Sequence, residues 1–282
     1  MKPEDADIPT LKDALESPSP HRDRRLAVEP MPNYSSTPDG PNETPVAFRA
    51  AWELKDRPRR IALLMDDCQE EYRPYAGGIL PNLVRILETF RAAKSGHGIC
   101  IAWSAWTRHF DDGISNAMDR WYGPRGLNPD NPENAVYVFT GSEGVQPLKE
   151  IAPTPEEVAD GWFYHGKHLD MFWTFDSDGT SYLDEKLKAH DIDTIVITGL
   201  WTDECVLSTA YAGNSRGYDV VIVGDAVDTA TANQAIALKV ANSTVANVLS
   251  TDVLVDYMTT DFVVGERGAV KGTRFPDGRK DG

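Results

Sequence analysis

Short apolar runs alternate with amphipathic stretches from about residue 60 to residue 248. Residues 60–66 read RIALLMD, an apolar run bounded by charges that is typical of a strand buried on both faces. The stretch that follows is predicted to be a helix, with Gly96 as its stop. Its apolar residues recur at helical spacing and are Ile79, Leu83, Ile86, Leu87 and Phe90.

The same alternation continues through the rest of the chain. Predicted strands lie at residues 98–106, 161–169, 193–199 and 218–226, and predicted helices at 181–190, 203–217 and 230–248. Residues 111–150 are rich in Gly, Asn and Pro and are predicted to be loops with one short helix. Because strands that alternate with helices imply right-handed crossovers, we predict one α/β domain whose mostly parallel sheet carries helices on both faces.

The two ends of the chain differ in composition from this central region. Residues 1–57 are rich in Pro, Ser, Asp and Asn, so they bury too little apolar surface to offset their ordering entropy. We interpret them as an N-terminal arm, either mobile or laid over the body or a neighbouring subunit. Residues 266–282 are interpreted as a similar C-terminal tail, which leaves residues 58–265 as the folded domain.

Composition narrows the class of partner and the compartment. The 282 residues include 44 acidic and 28 basic ones, and the net charge of −16 argues against nucleic acid and anionic membranes as partners. Residues 1–20 lack the apolar stretch of a signal peptide, and no apolar run approaches the ~20 residues of a membrane span. Three cysteines without CxxC spacing, Cys68, Cys100 and Cys205, favour a reducing cytosol. We therefore expect a cytoplasmic protein.

Polar residues at the ends of predicted strands are the candidates for chemistry, because parallel sheets bind ligands beyond the carboxyl ends of their strands. Asp66 and Asp67 end the first strand, where partial desolvation can raise a carboxyl pKa into the range of a general acid or base. The alternative for both is a helix cap or a solvated loop acid. Lys167 ends an aromatic-rich strand; it either neutralises Asp67 and stabilises a thiolate or oxyanion, or it is a surface lysine.

Cys205 lies in the segment GLWTDECV, directly after the predicted strand 193–199. Thr202 is a candidate N-cap for the next helix, which places Cys205 in the first turn, near unsatisfied backbone N–H groups and the positive end of the helix dipole. Both features lower the pKa of a thiol and suit a nearby oxyanion, as a cysteine nucleophile requires. The alternative interpretation is an inert core cysteine.

Three segments resemble motifs of the isochorismatase-like cysteine hydrolases, in the family's order and spacing. IALLMDDCQEEY resembles the family opening ALLVIDMQNDF, and GKHLDMF resembles the segment with the family lysine. The longest match is VITGLWTDECVLSTAYAGNSRGYDVVIVGDA, and the resemblance covers residues 60–257. It implies a doubly wound, Rossmann-like, three-layer α/β/α fold and a catalytic triad of Asp67, Lys167 and Cys205. The shared Gln69 aligns Asp67, rather than Asp66, with the family aspartate.

The resemblance also implies what surrounds the triad. It implies that backbone N–H groups of Trp201 and Cys205 form the oxyanion hole and that a cis peptide bond joins Leu200 to Trp201. Nicotinamidases of the family hold a metal with a DxH…H cluster. The corresponding segment here, SAWTRHFDDG, has His109 without an aspartate two residues earlier, so we expect no catalytic metal and no cofactor. His109 then shapes or binds the substrate, or caps a loop. The substrate-binding candidates are Trp201, His109, Tyr72 and Phe172.

The resemblance implies a hydrolase that cleaves a C–N amide or carbamoyl (ureido) bond of a small molecule through a thioester, releasing ammonia or an amine. Family members usually form dimers or tetramers, so a homo-oligomer is expected. One alternative is a vinyl-ether hydrolase of the isochorismatase type, although true isochorismatases lack the cysteine. Another is a non-catalytic binding or assembly protein. A Rossmann dehydrogenase is disfavoured because no GxGxxG follows the first strand.

Overall fold

Six parallel strands form one sheet in the structure, a computed structural model that describes residues 51–93, 98–106, 143–167, 169–173, 181–231 and 233–266. The strands are β1 (Ile61–Asp66), β2 (Ile99–Trp106), β3 (Phe163–Lys167), β4 (Thr194–Leu200), β5 (Asp219–Asp228) and β6 (Asn247–Leu249). Their order is β3-β2-β1-β4-β5-β6, and each neighbouring pair is parallel. The first five strands confirm the sequence-based predictions.

Helices and short turns connect these strands. The α-helices are α1 (Arg73–Ala76), α2 (Leu80–Ala93), α3 (Pro155–Ala159), α4 (Tyr182–Ala189), α5 (Leu207–Ser215), α6 (Gln234–Thr244) and α7 (Thr251–Asp256). Two π-helical turns, Thr202–Val206 and Tyr257–Asp261, precede α5 and follow α7. Turns of 3-10 helix lie at Ala51–Asp56, Glu70–Tyr72, Glu143–Val145 and Lys149–Ile151. Among the helices described, none has the length and apolar character needed to cross a membrane.

The strand order reverses between β1 and β4. From β1 the chain passes through α2 to β2 on one side, whereas from β4 it passes through α5 to β5 on the other. Right-handed crossovers in opposite directions place α2 and α5 on opposite faces of the sheet, which gives the predicted doubly wound α/β architecture. In folds of this kind, the crevice at the reversal is where ligands bind.

The central strands β1 and β4 are buried along their full length. Their sequences, IALLMD and TIVITGL, show no apolar–polar alternation because helices cover both faces. The covering face of α2 buries Leu83, Ile86, Leu87 and Phe90, the residues that the helical spacing singles out. Burial on both faces therefore fixes the position of the two strands whose carboxyl ends frame the crevice.

Two boundaries differ from their predictions. Residues 230–248 are not one helix: α6 ends at Thr244, and Asn247–Leu249 pairs with β5 as an edge strand. Burial of Val248 and Leu249 beside β5 outweighs continuation of the helix. The packed body also begins before residue 58, because Leu54 is buried and its carbonyl accepts hydrogen bonds from Arg59 and Tyr257. Residues 1–50 of the predicted arm and 267–282 of the predicted tail lie outside the described residues.

Candidate active site

Asp67 begins the loop that follows β1. It has a left-handed backbone conformation, with φ of 48°, and its side chain is buried. Asp67 Oδ1 lies 3.1 Å from Ser104 Oγ on β2, and the Asp67 N–H donates to the same Oγ at 3.3 Å. The predicted acid–base residue therefore lies at the carboxyl end of the sheet, held from both its backbone and its side chain by the adjacent strand.

The ends of β1 and β4 approach each other closely at Gly199. This residue pairs with Asp66 in the sheet and has φ of +108°. A Cβ at Gly199 would lie 2.0 Å from the Asp66 carbonyl oxygen and 2.8 Å from Cys68 Sγ, so only glycine fits. The close approach brings the loop with Asp67 beside the segment that leads to Cys205.

Cys205 lies in the π-helical turn Thr202–Val206, which begins two residues after the end of β4. Its side chain is buried, with 4% exposed. The Trp201 carbonyl accepts hydrogen bonds from the N–H groups of Glu204 and Val206, which closes the turn around the cysteine. The peptide bond between Leu200 and Trp201 is cis. The cysteine thus lies in the first helical turn after β4, at the edge of the sheet that also carries Asp67.

The prediction that Thr202 caps this helix is wrong. Trp201 occupies the N-cap position, with no side-chain cap. Thr202 is buried, and its Oγ1 has no hydrogen-bond partner within the described part of the chain. The π turn makes Thr202 the first helical residue, so it does not occupy the preceding position from which a cap side chain binds the first N–H groups.

Asp203, beside Cys205, is the residue that anchors the turn, and sequence analysis did not identify it. Its Oδ1 accepts a hydrogen bond from Thr229 Oγ1, and its Oδ2 accepts from Thr231 Oγ1 and from Asn233 Nδ2, the last at 2.9 Å. These donors belong to the segment after β5, so one carboxylate joins two loops at the carboxyl edge. The sequence clue is the run DTATAN at residues 228–233, which contains several short side chains that can donate hydrogen bonds.

An aromatic cluster lies beside the turn. The ring centroid of Trp201 is 5.0 Å from that of Tyr72 and 4.9 Å from that of Tyr75, in tilted and edge-on contacts. Trp201 and Tyr72 are both predicted substrate-binding residues, and the structure brings them together. Tyr75 was not predicted; its spacing of three residues from Tyr72 in a helical segment was the available clue.

Phe172 is not part of this cluster, and its prediction as a substrate-binding residue is corrected. The ring is 1% exposed and stacks on Tyr218 at a centroid distance of 5.7 Å. It also contacts the guanidinium of Arg216 and the backbone at Gly213, near the C-terminal end of α5. Because Tyr218 precedes β5, Phe172 lies in the core toward the amino ends of the strands, away from the carboxyl edge.

Two other predicted residues are described in part or not at all. Lys167 is the last residue of β3, and its backbone pairs with Trp106 of β2 after a register shift. Its side chain lies outside the described part of the structure, and so does all of His109. The described backbone therefore places Lys167 at the same edge of the sheet as Asp67, with β2 between them.

The carboxyl of Glu71, beside the aromatic cluster, yields a prediction about stability. Burial against the backbone at Gly144 raises the pKa of Glu71 to about 7. Protonation of Glu71 therefore favours the folded state, and this contribution is lost as pH rises from the ordinary glutamate range to about 7. We expect Glu71→Gln to raise the free energy of unfolding by about 1–2 kcal/mol at pH 8 and by much less at pH 5, as measured by urea unfolding.

The matched control is Glu70→Gln. Hydrogen bonds from Arg73 lower the pKa of Glu70, so this carboxylate stabilises the folded state above the ordinary glutamate pKa and the variant should lose stability at pH 8. Equal stabilisation by Glu71→Gln at both pH values would contradict the assignment.

The chain resembles known proteins in sequence and in fold. The family model described as the Isochorismatase domain matches residues 61–253. Ureidoacrylate amidohydrolase RutB of Methylobacterium radiotolerans is 26% identical over 218 residues, which cover 67% of this chain and 80% of that protein. The structure of N-carbamoylsarcosine amidase from Thermoplasma acidophilum is 26% identical, has a TM-score of 0.50 and covers 68% of this chain and 97% of that chain. A cysteine hydrolase from Pseudomonas syringae shares the fold at a TM-score of 0.57 and 19% identity, over 73% of this chain and 100% of that chain.

Proposed function

Because this chain belongs to the isochorismatase family of hydrolases, we propose that it is a cysteine-dependent amidohydrolase acting on a C–N amide or carbamoyl (ureido) bond of a small molecule. One observation carries this proposal: the loop with Asp67 and the turn with Cys205 emerge side by side from the adjacent strands β1 and β4. The names of two relatives, which refer to ureidoacrylate and N-carbamoylsarcosine, support the choice of a carbamoyl-type bond.

In the proposed reaction, the Cys205 sulfur attacks the carbonyl carbon, and Asp67 takes the thiol proton. Backbone N–H groups of Trp201 and Cys205 stabilise the oxyanion, since the first N–H groups of a helix have no intrahelical acceptor. Asp67 then gives the proton to the nitrogen as the C–N bond breaks, which leaves a thioester on Cys205. Water, deprotonated by Asp67, attacks the thioester and releases the thiol. The ammonium of Lys167 balances the negative charges.

The aromatic cluster of Tyr72, Tyr75 and Trp201 is proposed as the wall of the substrate pocket. Aromatic rings favour offset or edge-on contact with planar groups, and amides and ureides are planar. His109 is proposed to complete the pocket from the segment that follows β2. The cluster thus favours a small planar substrate over an extended flexible chain.

A panel of candidate substrates tests the reaction class. Nicotinamide, biuret, N-carbamoyl amino acids, ureidoacrylate and maleamate are incubated with the protein, and ammonia release is measured. We expect turnover of at least one carbamoyl or amide compound, which the Cys205→Ala variant does not catalyse. Turnover of isochorismate without ammonia release from any amide would favour the ether-hydrolase alternative, and binding without turnover would favour the non-catalytic one.

We expect activity to persist after prolonged dialysis against a strong chelator. The reason is the segment after β2, where His109 lacks the aspartate that would share a metal with it. Turnover of the best substrate is measured before and after dialysis, with a buffer-dialysed sample as the control. Loss of turnover that returns on addition of zinc would contradict the prediction.

The proposed assembly is a homodimer or homotetramer in the cytoplasm. The oligomeric state rests on the family resemblance. The cytoplasmic location rests on the absence of a CxxC or paired cysteine pattern in the sequence. Light scattering of the purified chain across a tenfold range of concentration distinguishes a monomer from either oligomer.

A further inference from the structure

Asp66 is a second buried acid beside the proposed acid–base residue, and the proposed reaction does not use it. It is the last residue of β1 and is 0% exposed. Its Oδ2 accepts a hydrogen bond of 3.0 Å from Thr209 Oγ1 on α5, and that hydroxyl in turn accepts the Met171 N–H at 3.0 Å.

Ser104 lies between the two acids and has a single hydroxyl hydrogen to donate to them. Its Oγ is 3.1 Å from Asp66 Oδ1 and 3.1 Å from Asp67 Oδ1, and it also accepts the Asp67 N–H at 3.3 Å. A hydroxyl has one hydrogen and two lone pairs, so Ser104 can donate to only one of the two carboxyl oxygens. A hydrogen bond at the other 3.1 Å contact needs a hydrogen from the acid.

The proposed reaction indicates which acid carries that hydrogen. A further titratable group beside the pair is the buried thiol of Cys68, whose Sγ lies 3.6 Å from the Asp66 carbonyl oxygen. Asp67 must be ionised to accept the thiol proton in the proposed reaction, so the proton falls to Asp66.

We propose that Asp66 is protonated at neutral pH and is a positioning residue for Asp67. Asp66 Oδ1–H donates to Ser104 Oγ, and the Ser104 hydroxyl then donates to Asp67 Oδ1. Ser104 is thereby saturated, with two hydrogen bonds accepted and one donated. This chain of hydrogen bonds holds Asp67 in the orientation and ionised state with which the proposed reaction begins. The role of Asp67 rests on the proposed function, whereas the proton on Asp66 can be observed without any turnover.

Infrared difference spectroscopy at pH 7 tests the proton directly. The proteins are labelled with 13C-aspartate, so that Glu71, whose pKa is about 7, does not contribute to the label-shifted band. We expect the label-shifted C=O stretching band of a protonated carboxylic acid in the otherwise unmodified protein and in Asp67→Asn, and its loss in Asp66→Asn. The matched control is Asp225→Asn: Asp225 Oδ1 accepts hydrogen bonds from the N–H and the hydroxyl of Thr251, two donors that each bring a hydrogen, so the band should persist. Absence of the band in the unmodified protein, or its loss in Asp67→Asn instead, would overturn the proposal.

The pH profile of kcat/KM provides the second readout. The amide of Asp66→Asn can donate to Ser104 and accept from Thr209 as the neutral acid does, so the acid limb should move by less than about 0.3 pH unit. If Asp66 were ionised, the variant would remove a negative charge beside Asp67, and the acid limb would move down by about one pH unit or more. Should Asp66→Asn not fold, the band is sought in unmodified protein labelled with 13C-aspartate. A label-shifted band that persists in Asp67→Asn supports the proposal, and no label-shifted band overturns it.

Discussion

Replacement of Cys205 by alanine or serine is expected to lower turnover by about 10⁴-fold or more while the protein remains folded and binds substrate. Alanine removes the sulfur that forms the thioester. Serine keeps the size of the side chain, but its hydroxyl is a poor nucleophile in a site adapted to a thiolate. Steady-state kinetics with the best amide of the panel measures the loss, and circular dichroism checks the fold. A core cysteine without a chemical role would instead cost a little stability and leave kcat unchanged.

Alkylation of the unmodified protein gives an independent measure of the same thiol. We expect a small alkylating reagent to inactivate the enzyme, substrate to protect it, and peptide mapping to find the modification on Cys205. The internal controls are Cys68 and Cys100, which are buried in the same core and have no proposed role in the reaction. Substantial activity in Cys205→Ala would remove the central atom of the mechanism, and the ether-cleaving or binding alternatives would then lead.

Asp67→Asn and Lys167→Ala are expected to be comparably severe, with losses of about 10³-fold or more in kcat. The amide cannot accept the thiol proton, and without the lysine ammonium the negative charges near the sulfur are unbalanced. Because the three groups act together, Asp67→Asn combined with Cys205→Ala should be little worse than Cys205→Ala alone.

Exposed residues of the same types serve as controls for these variants. Asp252→Asn removes an exposed acid on α7 that pairs with Arg85, and Lys239→Ala removes an exposed lysine on α6. Both should retain full kcat. A Lys167→Ala enzyme with kcat within about twofold of the unmodified protein would remove the lysine from the proposed triad.

The sequence was sufficient to predict the parts of the fold that burial and long motifs dictate. IALLMD and TIVITGL have continuous apolar character because they lie at the centre of the sheet, so their identity as strands and the crevice at their ends follow directly. The segment around Cys205 was predicted to follow a strand and begin a helix because it joins a clear strand to a clear helix. Asp67 was chosen over Asp66 through Gln69, and the structure does not test the role that this choice implies.

What the sequence missed depends on contacts between distant segments. Phe172 lies near the predicted lysine in sequence, but packing against Tyr218 and Arg216 turns its ring into the core. Threonine is a common N-cap residue, and only the π turn shows that Thr202 is already the first helical residue. The partners of Asp203 lie 26–30 residues later in the chain, beyond the reach of local pattern. The proximity of Asp66, Asp67 and Ser104 likewise cannot be predicted without knowing the register of β1 against β2.

The hydrogen bonds between Asp203 and the segment after β5 also set the order in which the site is completed during synthesis. Thr229, Thr231 and Asn233 leave the ribosome after Asp67, Lys167 and Cys205 have all emerged. A nascent chain therefore carries every proposed reactive group before it can form the hydrogen bonds that hold the turn with Cys205. Translation through β5 and the threonines behind it is therefore required before the turn of Cys205 can be held. A chain stopped just after Cys205 would carry the proposed reactive groups without these hydrogen bonds.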